Sequence, residues 1–375
     1  MLLLGPYERD ARVEKQAATL VDAGHEVTVL AWNRYGTSLE SEERDGTRIE
    51  RVTVRGASGA RLRNLTRIAR VYAWFVRRGL ALDWDVLVAH DLYTWLPGWV
   101  LKLLTRRRGI FDAHEPYAEQ IVGMLPRLAP AQPLIRWCEG FLARRADALL
   151  TVTPRMVERC RSLRVKRVFY LPNVARVEPA SAPPPGGHPD RLVIGRVGSI
   201  TPGYSGVEEV LDVGRVLRGR GLPVRVVIGG PVLAGWEAEF RRIVAAASDY
   251  VEYLGVVPVG RVAGIVATFD VMLSLRDARA PKAYFGFSTK IFDAMAVGVP
   301  VVTTRVGEDP ELVENAGCGE VVPAPVDVEA VADRVVAIWR DAALRKRMGE
   351  AGLRAVRERF RWATFEQGYL DLVNA

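Results

Sequence analysis

Along the whole chain, short runs of apolar residues alternate with stretches in which apolar positions recur every three or four residues. In the first half the runs fall near 26–31 (EVTVLA), 47–54, 85–89 (DVLVA), 109–112 and 147–151 (ALLTV), and each reads as a strand. The opening MLLLGPYERD reads as one more short strand, broken by Gly-Pro. A helix is predicted over roughly Arg9 to Ala23, with Val13, Ala17, Leu20 and Val21 on its apolar side and Gly24 as its stop. Residues 178–190 (EPASAPPPGGHPD) are rich in Pro and Gly and have no periodicity, so they read as a linker. Beyond it the alternation resumes: RLVIGRVG, PVRVVIGG, YVEYLG, FDVMLSL and VPVVTT are strands, each followed by a helical stretch. The pattern predicts an α/β chain of two doubly wound, parallel-sheet domains, 1–177 and 191–359, whose ligands would bind in a cleft between facing strand ends.

Length and composition agree with that division. The 375 residues are too many for one ordinary core, and 49% apolar with 26% charged is the balance of a soluble globular protein. No run approaches the roughly 20 apolar residues that span a bilayer, and the start lacks the basic segment and apolar length of a signal peptide. Cytoplasmic residence is therefore expected. Cys138, Cys160 and Cys318 are widely spaced and form no metal-ligand or CxxC pattern, so buried free thiols are expected. The net charge of +8 is unevenly placed: residues 1–175 hold 28 Lys+Arg against 19 Asp+Glu, and the remainder is nearly neutral. The first half is thus the one suited to an anionic surface.

Doubly wound sheets often hold NAD, but no G-x-G-x-x-G follows a strand here: VIGRVGSI and VVIGGPV have the glycines without the spacing. The glycines do allow backbone to approach a ligand closely. Gly198 and Ser199 stand at a strand end, where bare amides can face an anion and the helix starting near Gly206 adds its positive pole, although glycines there are often only turn residues. The run FSTKIFDAMAVGVPVVTT is more specific. Ser288 or Thr289 can cap a helix whose first turn carries Lys290, with Asp293 on the same face. That puts a cation able to reach a diphosphate one turn from a carboxylate able to accept ribose hydroxyls. An ordinary exposed ion pair has the same spacing.

The run STKIFDAMAVGVPVVTT resembles the signature of retaining glycosyltransferases of family 4. So do AGHEVTVL after the first helix, LVAHDLYTWLPG, FDAHEPY, ADALLTVTP and YLPNV, which together cover nearly the whole chain in order. The resemblance implies a GT-B fold, with Rossmann-like domains facing each other across a cleft. It implies a nucleotide diphosphate sugar bound mainly by the second domain, a glycan or lipid-linked acceptor bound by the first, retention of anomeric configuration, and no required metal or other cofactor. A last helix, about 360–375, would cross back onto the first domain. By the same resemblance Lys290 neutralises the diphosphate and Asp293 binds the ribose. Ser288, Thr289 and Ile291, the turns at Gly198, Ser199 and Gly230, the segment with Leu254 and Val256, and Arg196 complete the donor site. His114 faces the donor sugar and positions the reacting groups, and Asp10, Arg12, His90, Asp91 and Glu115 bind the acceptor.

Three positions depart from the family pattern. Phe285 stands where many members have Glu, Ser205 where many have a basic residue, and the ribose-binding carboxylate is shortened to Asp293. Arg196, Arg276 and Lys282 are candidates to supply the missing cation. A catalytically silent GT-B protein that binds nucleotide or glycan as a partner subunit is the alternative these departures raise, and a GT-B epimerase is a third.

Residues 61–78 (RLRNLTRIARVYAWFVRR) contain six arginines and no acid. At about 100° per residue, Arg63, Arg67, Arg70, Trp74 and Arg77 share one arc, opposite Leu65, Ile68, Tyr72, Phe75 and Val76. This is a basic amphipathic helix, suited either to a solvated face or to the anionic inner surface of the membrane. No nucleic-acid recognition motif accompanies it.

Overall fold

The computed structural model describes residues 1–5, 7, 10–33, 36, 38–54, 61–174, 180, 190–276 and 286–375, with only the backbone of 61–65 and 124. Arg9, Phe285 and Lys282, the side chain of Arg63 and all of the expected linker but Ala180 and Asp190 lie outside them. The chain forms two compact units: Met1–Pro172 with Phe365–Ala375, and Asn173–Thr364.

The first unit has one sheet. Its strands are β1 (Leu2–Leu3), β2 (Val27–Trp32), β3 (Ser41–Arg44), β4 (Thr47–Val52), β5 (Val86–His90), β6 (Arg108–Ala113), β7 (Ala148–Thr151) and β8 (Val168–Tyr170). Their order across the sheet is β3-β4-β2-β1-β5-β6-β7-β8, parallel throughout except for β3 against β4. Strand β3 has the sequence SEER and no apolar run. It forms because Asp45 and Gly46, at φ 49° and 74°, make a tight reversal that returns the chain as β4. The first helix runs Ala11–Asp22, capped by the Asp10 carboxylate on the amides of Arg12 and Val13, and Gly24 follows its end at φ 87°. Leu2, Leu30, Phe75, Leu87, Trp95, Phe111 and Leu149 belong to the core beneath.

Eleven C-terminal residues complete this unit. In the helix Ala363–Asn374, Tyr369, Leu372 and Val373 are buried, and the Arg108 guanidinium donates to the carbonyls of Leu372 and Val373, each at 3.0 Å. Phe360 stays with the second unit, its ring 5.1 Å from that of Phe292.

The second unit has six parallel strands: β9 (Leu192–Val197), β10 (Val224–Gly229), β11 (Val251–Tyr253), β12 (Val271–Ser274), β13 (Val301–Thr304) and β14 (Gly319–Val322), in the order β11-β10-β9-β12-β13-β14. Strand sequence reverses direction across the sheet between β1 and β5 in the first unit and between β9 and β12 in the second. At such a switch point successive loops leave on opposite faces and open a crevice at the carboxyl ends of the strands. Both candidate sites lie there.

Candidate functional site

In the second unit the strand ends are built from glycine. The Gly198 amide donates to Gly229 O (2.8 Å) and the Gly230 amide to Gly255 O (2.7 Å). Gly230 sits at φ 131° and Gly255 at φ 70°, conformations that a side chain disfavours. A Cβ on Gly230 would stand well inside contact distance of Gly198 O. Tyr253 ties the same turn by donating to Gly230 O at 2.8 Å.

Lys290 is in the first turn of the helix Thr289–Ala296. Its side chain lies along the Gly198 turn, so that a Cβ on Gly198 would be 2.5 Å from Lys290 Cε. The structure thus brings together the glycine turn and two sources of positive potential, the lysine and a helix N-terminus.

Clamps fix this helix start. Ser288 occupies the N-cap position without capping; its hydroxyl accepts from Ser274 Oγ at 3.1 Å. The Ser288 amide donates to Asp309 Oδ1 (2.7 Å), and Asp309 Oδ2 is 2.9 Å from Arg276 Nε. Burial raises the Asp309 pKa against the pull of Arg276 and the Ser288 amide. The Gly286 amide donates to Glu308 Oε2 at 3.2 Å. Asp309 and Glu308 were missed by sequence reasoning, because paired acids before a helix read as ordinary first-turn residues.

Several donor-site expectations change. Asp293 is fully buried, so its carboxylate is not presented to solvent as a ribose acceptor would be. The Ile291 side chain is also in the core and its amide already donates to Ser288 O at 3.0 Å. Arg196 lies beneath the loop rather than on it: buried on β9, it donates from Nη2 to Ser199 O (3.1 Å), and burial lowers its pKa to about 10. Arg276 is engaged with Asp309, and the Ser205 hydroxyl accepts from the Thr201 amide (3.1 Å). Ser199 and Val256 are exposed, and Thr289, Lys290 and Leu254 are half-buried.

In the first unit the crevice centres on Asp112, fully buried on β6. Arg12 grips both its oxygens, Nε to Oδ2 at 2.9 Å and Nη2 to Oδ1 at 2.7 Å, while its Nη1 donates to Leu171 O at 2.7 Å. Gln16 Nε2 donates to Oδ2 at 2.6 Å, His90 Nδ1 is 3.2 Å from Oδ2, and His114 Nε2 is 3.0 Å from it. Burial would raise the Asp112 pKa, but Arg12 and then His114 hold it well below the usual carboxylate range. Arg12 and His90 are thereby corrected from acceptor-binding to supporting residues: both are buried and turned onto Asp112.

His114 and Asp91 face outward from this base. Asp91, at φ 72°, accepts from Tyr117 OH at 2.9 Å, and its Oδ1 is 3.6 Å from His114 Nδ1. Tyr117 OH also accepts from the His114 amide at 3.2 Å. Asp10 is a helix cap with a partly open side chain, and Glu115 is half-buried. Of the basic helix Arg61–Ala81, Arg70 and Arg77 are exposed and Arg67 is half-buried. Trp74 packs partly against the core rather than standing free in the charged face.

Burial lowers the His114 pKa, but Asp112 and then Asp91 outweigh it and raise it to about 9. A group so raised contributes stability that is complete below its unfolded value of 6.5 and is lost as pH rises through about 9. Thermal stability of the wild type relative to His114→Gln is therefore expected to fall across that window. Parallel pH profiles would contradict the pairing.

Ligand atoms of His90, Asp112 and His114 lie within 4.8 Å of one another, a spacing that can hold a metal ion. The donors do not suit one. Asp112 already spends its charge on Arg12, and a His114 held protonated at neutral pH offers no lone pair.

A glycosyl transferase 4-like domain matches residues 10–174, and a glycosyl transferases group 1 domain matches residues 191–341. The chain belongs to the family 4, group 1 glycosyltransferases. Among relatives of this glycosyltransferase, the putative colanic acid biosynthesis glycosyltransferase WcaL of Salmonella typhimurium is 23% identical over 90% of this chain and 89% of its own length. N-acetyl-alpha-D-glucosaminyl L-malate synthase of Bacillus anthracis is 34% identical over 27% of this chain, a stretch that spans 24% of that relative. WcaL of Escherichia coli is 32% identical over 35% of this chain, which spans 32% of that protein. Sucrose-phosphate synthase from Thermosynechococcus elongatus superposes with a TM-score of 0.73 at 16% identity, over 99% of this chain and 97% of its own. Anabaena HepE, solved with UDP, gives 0.70 at 17%, over 100% and 99%. The fold is GT-B.

Proposed function

We propose that this glycosyltransferase moves a sugar from a nucleotide diphosphate donor to a glycan or lipid-linked acceptor, with retention of configuration and without a metal. The observation that carries the reading is the juxtaposition of Lys290, the Gly198 turn and the start of the helix Thr289–Ala296. Transfer asks for stabilisation of negative charge growing on a departing phosphate, and a cation at a helix N-terminus meets that need without proton transfer. Family membership and the UDP in HepE support a nucleotide as the leaving group, with UDP the first to test. Metal independence is supported by the lysine's taking the place of a divalent ion and by the poor donor set at Asp112.

Asp293 is buried one turn after Lys290 on the same helix, and in this reading it acts on the ribose when the donor reaches its carboxylate. In the first unit His114, a cation at neutral pH backed by Asp112, positions the reacting groups, with Asp91 and Glu115 toward the acceptor. The basic Arg67, Arg70 and Arg77 support work at the inner face of a membrane, and among the described residues no helix is long and apolar enough to cross one.

Thermal shift against UDP, GDP, dTDP and ADP and their sugars tests the donor site. One nucleotide is expected to stabilise the wild type, with the shift lost in Lys290→Ala and kcat/KM down by about 10²–10³. A shift that survives Lys290→Ala would remove the site from this helix. Nucleotide binding with no donor hydrolysis or transfer would favour the catalytically silent alternative.

A further inference from the structure

We propose that the first unit docks on an anionic lipid bilayer through the face formed by the helices Leu92–Thr105 and Gln132–Ala143, a surface distinct from the basic helix Arg61–Ala81. The proposal rests on the membrane-peripheral reading above and names the contact. Twelve large apolar side chains are exposed among the described residues, and six of them, Leu96, Leu103, Leu104, Leu125, Leu134 and Trp137, fall between residues 96 and 137. Leu103 (59% exposed), Leu104 (60%), Leu134 (62%) and Trp137 (59%) are more than half open to solvent. Clustering of this kind marks an interaction site, whereas single exposed apolar residues are ordinary.

Helical periodicity makes the residues one surface. On the helix Leu92–Thr105, Leu96, Trp99, Leu103 and Leu104 share one arc; on Gln132–Ala143, Leu134, Trp137 and Phe141 share another. The two arcs join where the Trp99 ring meets the Phe141 ring edge-on at 6.0 Å, and Trp137 stacks on Phe141 at 5.6 Å. The polar border is basic. Arg106, Arg127 and Arg145 carry that character, while Lys102, Arg107 and Arg136 are paired with Asp147, Asp83 and Glu119 and Arg108 holds the carbonyls of Leu372 and Val373. Arg106 and Arg127 are exposed, and the Arg145 guanidinium lies 4.1 Å over the Phe141 ring.

Apolar side chains with a tryptophan at their edge, rimmed by arginines, match the chemistry of the lipid headgroup boundary: acyl chains for the leucines, the interface for the indole, phosphates for the guanidinium groups. A second copy of the chain fits less well, since a two-fold contact would set this arginine rim against itself. The helix Arg61–Ala81 offers charge without a comparable apolar anchor: Val71 and Phe75 are buried in the core, and Leu80 is its one exposed large apolar side chain among those described. Contact through the proposed face therefore outlasts moderate salt, whereas contact through charge alone does not.

Cys138 is exposed at the edge of this face while Cys160 and Cys318 are buried, so an environment-sensitive thiol dye on the folded protein reports from Cys138. Vesicles of phosphatidylcholine with phosphatidylglycerol are expected to sediment the protein and shift the dye emission to the blue, and vesicles of phosphatidylcholine alone much less so. Leu134→Glu with Trp137→Glu is expected to lower the bound fraction about tenfold, while Leu39→Glu, equally exposed but elsewhere on the unit, leaves it unchanged, and both variants keep the nucleotide-induced thermal shift. Sedimentation with a silent dye, or with the double variant fully bound, would overturn the proposal and leave the peripheral reading to the helix Arg61–Ala81. No sedimentation on either vesicle overturns both. A concentration-dependent doubling of mass by light scattering, with the dye shielded in the absence of lipid, would make the face a protein interface and overturn the lipid assignment.

Discussion

Replacing Asp112 with alanine is expected to destabilise the first unit by about 3–5 kcal/mol, measured by denaturant unfolding. The carboxylate is fully buried and answers a buried guanidinium through two bonds, a glutamine amide and two imidazoles. Its removal takes both carboxylate bonds from the buried Arg12 guanidinium, and breaking one partner of a buried pair costs more than the pair contributes. Asp112→Asn, which keeps the shape and loses the charge, is expected to cost less. Because the Asp112 pKa is depressed in the folded protein, its contribution is present above the unfolded value near 3.8 and is lost as pH falls through the folded one. The gap between wild type and Asp112→Asn therefore closes in acid. A variant as stable as wild type at neutral pH would refute the account of Arg12 as a supporting residue.

Gly230→Ala is expected to cost about 2–5 kcal/mol in the second unit and to abolish nucleotide-induced stabilisation. Two effects add. An alanine at φ 131° is strained by about 1–3 kcal/mol, and its Cβ meets the Gly198 carbonyl, a backbone group that cannot swing aside as a side chain can. Relief requires Gly198 to move, and with it the turn against which Lys290 lies. Gly198→Ala is the informative contrast: at φ 155° it too is strained, but its Cβ meets the flexible end of Lys290 rather than backbone, so the fold should tolerate it better while the lysine is displaced. Thermal unfolding with and without nucleotide separates the two, and a Gly230→Ala protein that still responds to nucleotide would detach the site from these turns.

The two-domain α/β architecture was legible because parallel strands buried on both faces are continuous apolar runs, and β2, β5, β7, β9, β10, β12 and β13 are such runs. Of the edge strands only β11, in YVEYLG, was: β3 is polar, while β8 and β14 are short and carry no run long enough to separate them from loops. Motifs in the sequence name Lys290, Gly198 and His114 as candidates, and the structure places each at a strand end or the helix start beside one. Their partners were hidden, because pairing depends on strand order. Arg12 and Asp112 are one hundred residues apart in the chain and adjacent only because β1, β5 and β6 are neighbours. Side-chain direction was hidden for the same reason: Arg196 and Asp293 have the right chemistry for a donor site, but β9 and the helix Thr289–Ala296 turn them inward. Nor does periodicity reveal the open leucines on Leu92–Thr105, since it tells that a helix has an apolar face and not what covers it.

The return of residues 365–375 to the first unit bears on how the chain is made. On the ribosome the first 172 residues emerge without the segment that carries Tyr369, Leu372 and Val373 into their core, and Arg108 has neither carbonyl to hold. The intervening Asn173–Thr364 is contiguous and can complete its own core as soon as it is released. Of the two units, the one whose chain begins earlier is thus completed after the other.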